Sequence, residues 1–309
     1  MTTQRKNIAV CLPCYNEGLV IARVIEHFRA VLPEADIYVY DNASTDNTYE
    51  QAEKAGAIVR RVGMQGKGYV VRRMFADIEA DVYVLADGDA TYDPDSAVKL
   101  VEVLATGHYD LVTGCRVATD APAYRRGHAS GNRLLTNVVR MLFGRNVKDM
   151  LSGFRVMSRR FVKTFPVLSR GFEIETELTI HALELDVPMS DVDTPYRERQ
   201  EGSHSKLHTY ADGLRILRMV LDMLVHERPL YVFGGFSAAL TIVNVALAVP
   251  VIMSYFETGL IERFPTAILC MVLFLLAISS LMCGFILRAI THARREMKRL
   301  AYMLHSQEV

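Results

Sequence analysis

The 309-residue sequence has no net charge, because 35 lysines and arginines balance 35 aspartates and glutamates. Chains that bind nucleic acid usually carry a clear basic excess, so nucleic acid is not an expected partner. Cysteine is also scarce, and five cysteines, two of them in long apolar runs, do not make a disulfide framework. Cys11 and Cys14 have the spacing of a redox pair but end a predicted strand, so we interpret both as small core residues in a reducing compartment.

Two common nucleotide-binding signatures are missing. No Gly-x-Gly-x-x-Gly follows the first predicted strand, which argues against a dinucleotide-binding fold. Lys67 is not a P-loop lysine, because Arg61 and Gly68 occupy positions where that motif needs Gly and Ser or Thr. A signal peptide is not expected, since the segment from Met1 to Lys6 is polar and leads directly into a strand.

Charge is almost absent from two long stretches near the C-terminus. The runs over 230–256 and 265–290 each exceed the roughly 20 residues that a membrane helix needs, and neither has a polar face at helical spacing. We therefore predict two transmembrane helices there. Arg294, Arg295, Lys298 and Arg299 follow the second run, whereas the short connection has only Arg263, so both termini are expected in the cytoplasm.

The first part of the chain alternates between strand and helix patterns. Short apolar strands are predicted at 8–12, 37–40, 57–62 and 82–86, with helical periodicity between them. Further strands are predicted at 111–113 and 189–196, with helices over 134–142 and from 171 to about 185. This alternation predicts an α/β fold with a doubly wound, mostly parallel sheet.

Polar residues follow several of these strands. In an open parallel sheet, ligands bind beyond the carboxyl ends of the strands, so Glu17, Asp41, Lys67, Asp87 and Asp89 are expected to converge on one crevice. Asp87 and Asp89 directly follow a buried strand, and their oxygens suit Mg²⁺ or Mn²⁺ with substrate phosphates as further ligands. For the neighbouring acids at positions 93 and 95, a turn and a first helical turn are the favoured interpretation.

The segment before the first apolar run has an amphipathic pattern. Leu214, Leu217, Leu221 and Leu224 share one helical face, which predicts an interfacial helix over 210–229. An ordinary core helix is the alternative. The predicted layout is therefore a catalytic domain over 1–209, the interfacial helix over 210–229, and a membrane domain over 230–309 with a basic cytoplasmic tail.

The ordered motifs of the chain resemble those of family 2 glycosyltransferases with the GT-A fold. The nearest branch is the polyprenyl-phosphate glycosyltransferases, which are similar to dolichol-phosphate mannose or glucose synthases. The resemblance extends over about residues 7–228. It is carried by Pro13-x-Tyr15-Asn16-Glu17, Asp41-x-x-Ser44-x-Asp46, Gly66-Lys67-Gly68, Asp87-x-Asp89, Ser152-Gly153-Phe154-Arg155, Glu173 to Leu178, and Gly202-x-x-Ser205-Lys206-Leu207.

The resemblance implies a site for a nucleotide sugar, UDP-linked by preference. Asp41 would hold the nucleobase, and Asp89 would bind the divalent ion, Mg²⁺ or Mn²⁺, that bridges the diphosphate. Asp87 would lie near the sugar and ribose and serve as a second metal ligand. Thr91 stands where a common family pattern has Gln, which leaves the third metal ligand open. The remaining donor contacts would come from Pro13, Tyr15, Glu17 and Lys67.

The implied acceptor is a polyprenyl phosphate at the cytoplasmic membrane. Arg155, Arg199 and Lys206 match family residues around the donor and acceptor phosphates, and Arg126, with its neighbour Arg125, is an added candidate without a motif. A phosphate monoester needs no general base, since its second pKa is about 6. Among the acids at the start of the predicted helix, Glu175 is accordingly expected to orient substrate or Arg, while Glu173 and Glu177 are as readily solvated.

Three other functions are considered. A processive polysaccharide synthase needs a Gln-x-x-Arg-Trp signature, and this chain has no tryptophan. A transferase with a hydroxyl acceptor is the alternative, and a non-catalytic membrane adaptor is disfavoured by the acids at strand exits. Ser280 and Gly284 are spaced for a close helix contact, which would allow a homo-oligomer.

Overall fold

The computed structural model describes residues 6–118, 147–171, 173–197, 222 and 224–305. Several predictions lie outside the described residues. They concern the helix over 134–142, all but the end of the interfacial helix, and the side chains of Arg125, Arg126, Arg199 and Lys206.

Seven strands form one mixed sheet in the order β3-β2-β1-β4-β6-β5-β7. The pairs β1–β2, β2–β3, β1–β4 and β5–β7 are parallel, while β6 is antiparallel to β4 and β5. The predicted α/β class with a mostly parallel sheet is therefore confirmed. The strands are β1 (Ile8–Cys14), β2 (Asp36–Asp41), β3 (Ile58–Arg61), β4 (Val82–Leu85), β5 (Leu111–Ala118), β6 (Arg155–Ser158) and β7 (Met189–Tyr196).

Eight helices are present in the described residues: α1 (Ile21–Val31), α2 (Thr48–Lys54), α3 (Lys67–Asp77), α4 (Asp95–Thr106), α5 (Arg159–Thr164), α6 (Ile174–Leu185), α7 (Pro229–Thr258) and α8 (Phe264–Leu304). Apolar side chains of α1 and α4 pack on one face of the sheet, and those of α3 and α6 pack on the other. Alternate residues of β1 supply both cores, Val10 and Leu12 to the first and Ala9 and Cys11 to the second. Burial raises the pKa of the Cys11 thiol to about 12, as expected of a core residue.

The strand order places a topological switch point at β1. The chain moves from β1 outward to β2 and β3, and then returns to place β4 on the other side of β1. The carboxyl ends of β1 and β4 therefore lie side by side at this switch point, where open α/β sheets bind their ligands. Glu17 follows β1, and Asp87 and Asp89 follow β4, so the predicted site residues border this switch point.

The chain divides into two compact units, Met1–Thr209 with Lys298–Val309, and Tyr210–Met297. The predicted division into catalytic, interfacial and membrane segments stays a prediction. The C-terminal residues, which it assigns to the membrane domain, group here with the first unit. They belong to the first unit because Lys298 pairs with Glu184 and Tyr302 donates to Asp110, with a distance of 2.5 Å for the second pair.

In the second unit, α7 and α8 are long and apolar enough to cross a membrane, by length and composition. Ser280 Oγ donates to the Phe233 carbonyl at 2.9 Å, and a Cβ at Gly284 would lie 3.2 Å from Phe233 Cβ. The close helix contact predicted at these small residues is thus made between two helices of one chain. This contact is therefore not evidence that the protein forms an oligomer.

Candidate active site

The loops after β1 and β2 are joined by hydrogen bonds. The Glu17 amide donates to Thr48 Oγ1 at 2.8 Å, and the Thr45 amide donates to Asn16 Oδ1, also at 2.8 Å. The strand register that pairs Cys14 with Asp41 brings these loops side by side. The segments Pro13 to Glu17 and Asp41, which are predicted to hold the nucleobase, therefore lie side by side.

Asn42 connects these segments to the start of α3, and the sequence motifs did not single it out. Its Nδ2 donates to the Met64 carbonyl, and its Oδ1 accepts from the Gly66 amide, each at 2.7 Å. The residue is buried. Because both ends of the amide are used, the loop before α3 is held against the end of β2, which positions Lys67.

Four carboxylates lie close enough to Cys14, at the end of β1, for their charges to act on its thiol. Burial raises the pKa of this thiol, and the neighbouring negative charges raise it further. A Cβ on Gly88 would lie 2.3 Å from Cys14 Sγ, so the turn after β4 passes directly against this strand end. The acids that meet around Cys14 are Glu17, Asp41, Asp87 and Asp89. The predicted convergence of these side chains on one crevice is present in the structure.

Lys67 lies between two acids from distant parts of the chain. Its Nζ donates to Asp87 Oδ1 at 2.5 Å and also to Glu175 Oε1. The Lys67 and Glu175 side chains are each 7% exposed, and that of Asp87 is 27% exposed. Burial alone would lower the pKa of Lys67, but the charges of the two acids outweigh burial and raise it. The ammonium therefore stays charged and joins α3, the β4 exit and α6.

The glycines at positions 66, 68 and 153 make this arrangement possible. A Cβ at Gly66 would lie 2.1 Å from the Arg170 carbonyl oxygen, and one at Gly68 would lie 2.2 Å from the Ser169 carbonyl oxygen. A Cβ at Gly153 would lie 2.7 Å from Asp87 Oδ2 and 3.1 Å from Lys67 Nζ. A side chain at position 153 would thus displace Asp87 and Lys67, while side chains at 66 and 68 would push α3 away from the segment before α6.

Asp89 is oriented by Thr91. Asp89 Oδ1 accepts from Thr91 Oγ1 at 2.6 Å and from the Thr91 amide at 3.1 Å, and both residues are buried. Thr91 occupies the position where a common family pattern has Gln. Here its side chain and amide donate hydrogen bonds to Asp89, the residue predicted to bind the metal. The oxygen donors of Asp89 and Asp87 fit Mg²⁺ or Mn²⁺ chemically, although Asp87 shares one oxygen with Lys67.

Arg155 lies in the interior of the fold. It is fully buried, and its Nε and Nη2 donate to the carbonyls of Ser152 and Met150 at 3.0 and 2.9 Å. A guanidinium used in this way stabilises the loop that carries Gly153. The phosphate contact that the sequence predicts for Arg155 stays a prediction.

Two buried polar atoms near the crevice make no hydrogen bond within the described part of the chain. They are Glu175 Oε2 and Arg155 Nη1. Burial raises the pKa of Glu175, the charge of Lys67 opposes that rise, and Asp87 adds to it. Glu177, by contrast, accepts from the amides of Leu168 and Ser169 at 2.7 and 2.8 Å and so has a structural role in the loop before α6. Unsatisfied buried atoms are uncommon and cluster at functional sites.

His27, Asp93 and Asp95 form a separate group whose possible ligand atoms lie within 4.8 Å of one another. His27 Nε2 lies 3.2 Å from Asp95 Oδ1, and Arg197 Nη2 donates to Asp93 Oδ1 at 3.5 Å. α4 begins at Asp95, as predicted from the first-turn pattern. These pairings account for the group without an ion.

Comparison with known proteins identifies the family. The profile described as Glycosyl transferase family 2 matches residues 9–165. The chain belongs to this family. It is also 34% identical over 297 residues to glycosyltransferase AglJ of Haloferax volcanii, with 94% of this chain and 97% of that protein covered. The predicted membership of family 2 is thus confirmed, and glycosyl transfer is the activity supported.

Two further matches, one to a curated protein and one to a solved structure, are relevant to the site. The dolichyl-phosphate hexose transferase of Haloferax volcanii is 28% identical over 222 residues, which cover 72% of this chain and 96% of that protein. Glucosyl-3-phosphoglycerate synthase from Mycobacterium tuberculosis, solved with Mn²⁺, UDP and glucosyl-3-phosphoglycerate, is 26% identical with a TM-score of 0.56. That match covers 71% of this chain and 79% of the synthase. The sheet is accordingly that of a GT-A glycosyltransferase.

The role of Lys67 can be tested by removing its charge. In Lys67→Met, Asp87 and Glu175 face each other without a cation, so we expect the thermal midpoint to fall by about 6–20 °C, equivalent to about 3–5 kcal/mol. Adding Glu175→Gln removes one of the uncompensated charges and is expected to restore part of the loss. The measurement is thermal unfolding of the purified full chain.

Lys54→Met, at an exposed position at the end of α2, is the matched control and should leave the midpoint nearly unchanged. Equal midpoints for Lys67→Met and Lys54→Met would show that the buried ion pairs do not stabilise the site.

Proposed function

We propose that this family 2 glycosyltransferase transfers a hexose from a nucleotide-diphosphate sugar, UDP-linked by preference, to a polyprenyl phosphate at the cytoplasmic membrane face. The transfer inverts the anomeric carbon. The observation that carries the proposal is the convergence of Glu17, Asp41, Asp87 and Asp89 around the end of β1, at the switch point of the sheet. Relatives named for dolichyl-phosphate and undecaprenyl-phosphate transfer support the acceptor class.

In the proposed donor complex, Asp41 accepts hydrogen bonds from the nucleobase. Its Oδ1 already accepts from the Ser44 amide at 3.2 Å, which directs the carboxylate along the pocket wall. Tyr15, whose hydroxyl accepts from Gln65 Nε2 at 3.2 Å, and Pro13 line the same wall. The UDP-bound relative supports a pyrimidine nucleotide here.

Asp89, with Asp87, would hold the divalent ion, and Thr91 keeps the Asp89 carboxylate in position. Bound in this way, Mg²⁺ or Mn²⁺ would stabilise the negative charge that develops on the departing nucleoside diphosphate. The relative that contains Mn²⁺ with UDP supports a divalent ion but does not choose between the two metals. Lys67 holds the Asp87 carboxylate in place through its hydrogen bond to Oδ1.

The acceptor is proposed to supply its own nucleophile. A lipid phosphate is largely dianionic above its second pKa of about 6, so one of its oxygens can attack the anomeric carbon without a base. Cations suited to hold it are Arg126, Arg199 and Lys206, in segments outside the described residues. The apolar helices α7 and α8 would place the enzyme in the membrane that contains the lipid.

A hydroxyl acceptor is the second candidate. Glu175 favours it, because a buried carboxylate with a raised pKa and an unpaired Oε2 has the properties of a general base. The acceptor class therefore decides the role of Glu175: it orients groups if the nucleophile is a phosphate, and it removes a proton if the nucleophile is a hydroxyl.

An assay with a donor panel tests the proposal. The purified full chain is incubated with Mg²⁺ or Mn²⁺, radiolabelled UDP- and GDP-sugars, and either polyprenyl phosphate or a glycolipid that bears free hydroxyls. We expect an acid-labile sugar phosphate on the polyprenyl lipid. Product on the hydroxyl lipid alone would establish the second candidate, and product on neither lipid with any donor would overturn both.

Loss of the metal ligand gives a narrower test. Asp89→Ala should lower turnover about 10²–10³-fold, because charge on the leaving diphosphate is no longer stabilised, and should abolish metal-dependent nucleotide binding measured by calorimetry. Asp95→Ala removes an exposed acid of the same strand-to-helix connection and serves as the matched control. Metal-dependent binding that survives in Asp89→Ala would exclude this residue as a ligand.

A further inference from the structure

The C-terminal end of α8 belongs to the same unit as the active site. We call Lys298 to Leu304 the C-terminal clasp. We propose that the clasp is a positioning element of the transferase: acting through Glu184 and Asp110, it holds α6 in place and so holds Glu175 against Lys67. The structural part of this proposal is independent of the substrate, and only its effect on turnover rests on the proposed function.

The first contact of the clasp is an ion pair at the end of α6. Lys298 Nζ donates to Glu184, the penultimate residue of α6, whose side chain is only 2% exposed. A carboxylate buried to this degree needs a compensating cation. Lys298 brings one from a position 114 residues away in the sequence. The position of α6 therefore depends on its ion pair with the clasp.

The second contact is a hydrogen bond to a buried acid beside β5. Tyr302 Oη donates to Asp110 Oδ2 at 2.5 Å, and Asp110 is completely buried. Arg160 donates two hydrogen bonds to the same carboxylate, at 2.6 and 2.8 Å, and its guanidinium lies 4.9 Å from the centre of the Tyr302 ring. Burial and the charge of Asp110 raise the pKa of Tyr302, which keeps its hydroxyl protonated as a donor.

The burial of α6 shows why it needs a second covering layer. Ten of its twelve residues are buried, including Ile174, Leu178 and Ala182 in the core beneath the sheet. One face of a sheet covers one side of a helix, so the other side must be covered by other elements. Tyr302 packs against this same core cluster. The lowered pKa of His181, about 3, has burial as its main cause and the charge of Lys298 as its second.

The two ends of α6 form ion pairs with different parts of the chain. Glu175 in its first turn binds Lys67, and Glu184 near its end binds Lys298. A helix of twelve residues is about 18 Å long and moves largely as one body. A shift at the Glu184 end would consequently displace Glu175 from Lys67 and disturb Asp87 through the same ammonium.

The charges of the tail support this role over that of a free basic patch. Arg294 and Arg295 bind Glu227 within the second unit, each with one nitrogen at 2.6 Å from a carboxylate oxygen. Lys298 binds Glu184. Three of the basic residues that follow the second apolar run are thus paired with buried acids and are not available to bind lipid headgroups without breaking those pairs.

The test uses the full chain with the double substitution Lys298→Met and Tyr302→Phe, which removes both contacts and keeps most of the side-chain volume. Hydrogen exchange of peptides that cover 173–185 should become about 10-fold faster, while exchange of α1 stays unchanged. Arg299→Met is the matched control: it removes one positive charge from an exposed position of the same helix and should leave α6 unaffected.

Turnover supplies the second readout. We expect kcat to fall between about 10- and 100-fold, because Glu175 and Lys67 are misplaced, while the KM of the nucleotide sugar stays within about twofold. Lys298→Arg should keep the wild-type kcat, since the charge at Glu184 is retained. Unchanged exchange of α6, or faster exchange with unchanged kcat, overturns the proposal. If the wild-type chain is inactive but exchange of α6 is still faster in the double variant, the proposed function is overturned. The clasp is then established as a structural element.

Discussion

The ammonium of Lys67 is the interaction on which the site depends. Asp87 and Glu175 approach the same point from the β4 exit and from α6, and without a cation between them their charges would repel inside the protein. Glycine is needed at position 153 because a side chain there would clash with Asp87 and Lys67. Motifs that are far apart in the sequence are therefore parts of one electrostatic arrangement, which holds Asp87 in place.

In the proposed reaction, the diphosphate of the donor and the phosphate of the acceptor lipid need different binding groups. The acids around Cys14 suit a nucleotide sugar and its metal ion, whereas a lipid phosphate needs cations. The Arg155 guanidinium donates to the carbonyls of its own loop. Contacts to the acceptor are expected from the segments over 119–146 and 198–209. Donor and acceptor would then be recognised by different segments of the chain.

Pairs of distant charges also define the outer layer of the catalytic unit. Asp110 and Tyr302 are 192 residues apart, and Glu184 and Lys298 are 114 apart, yet both acids are buried and need these partners. The chain leaves the catalytic unit after Thr209 and returns to it at Lys298. The segment that follows the apolar helices is thus part of the fold that positions Glu175.

The sequence by itself determined the features that depend on local periodicity. Short apolar runs predicted the strands that precede Asp41, Asp87 and Asp89, and long uncharged runs predicted α7 and α8. Parallel strand order then made convergence at one crevice predictable. Tertiary structure alone decided that Thr91 binds Asp89, that Arg155 is buried and that Ser280 contacts Phe233 of its own chain. Each of these depends on which side chains meet in the packed interior, and that choice has no periodic signature in the sequence.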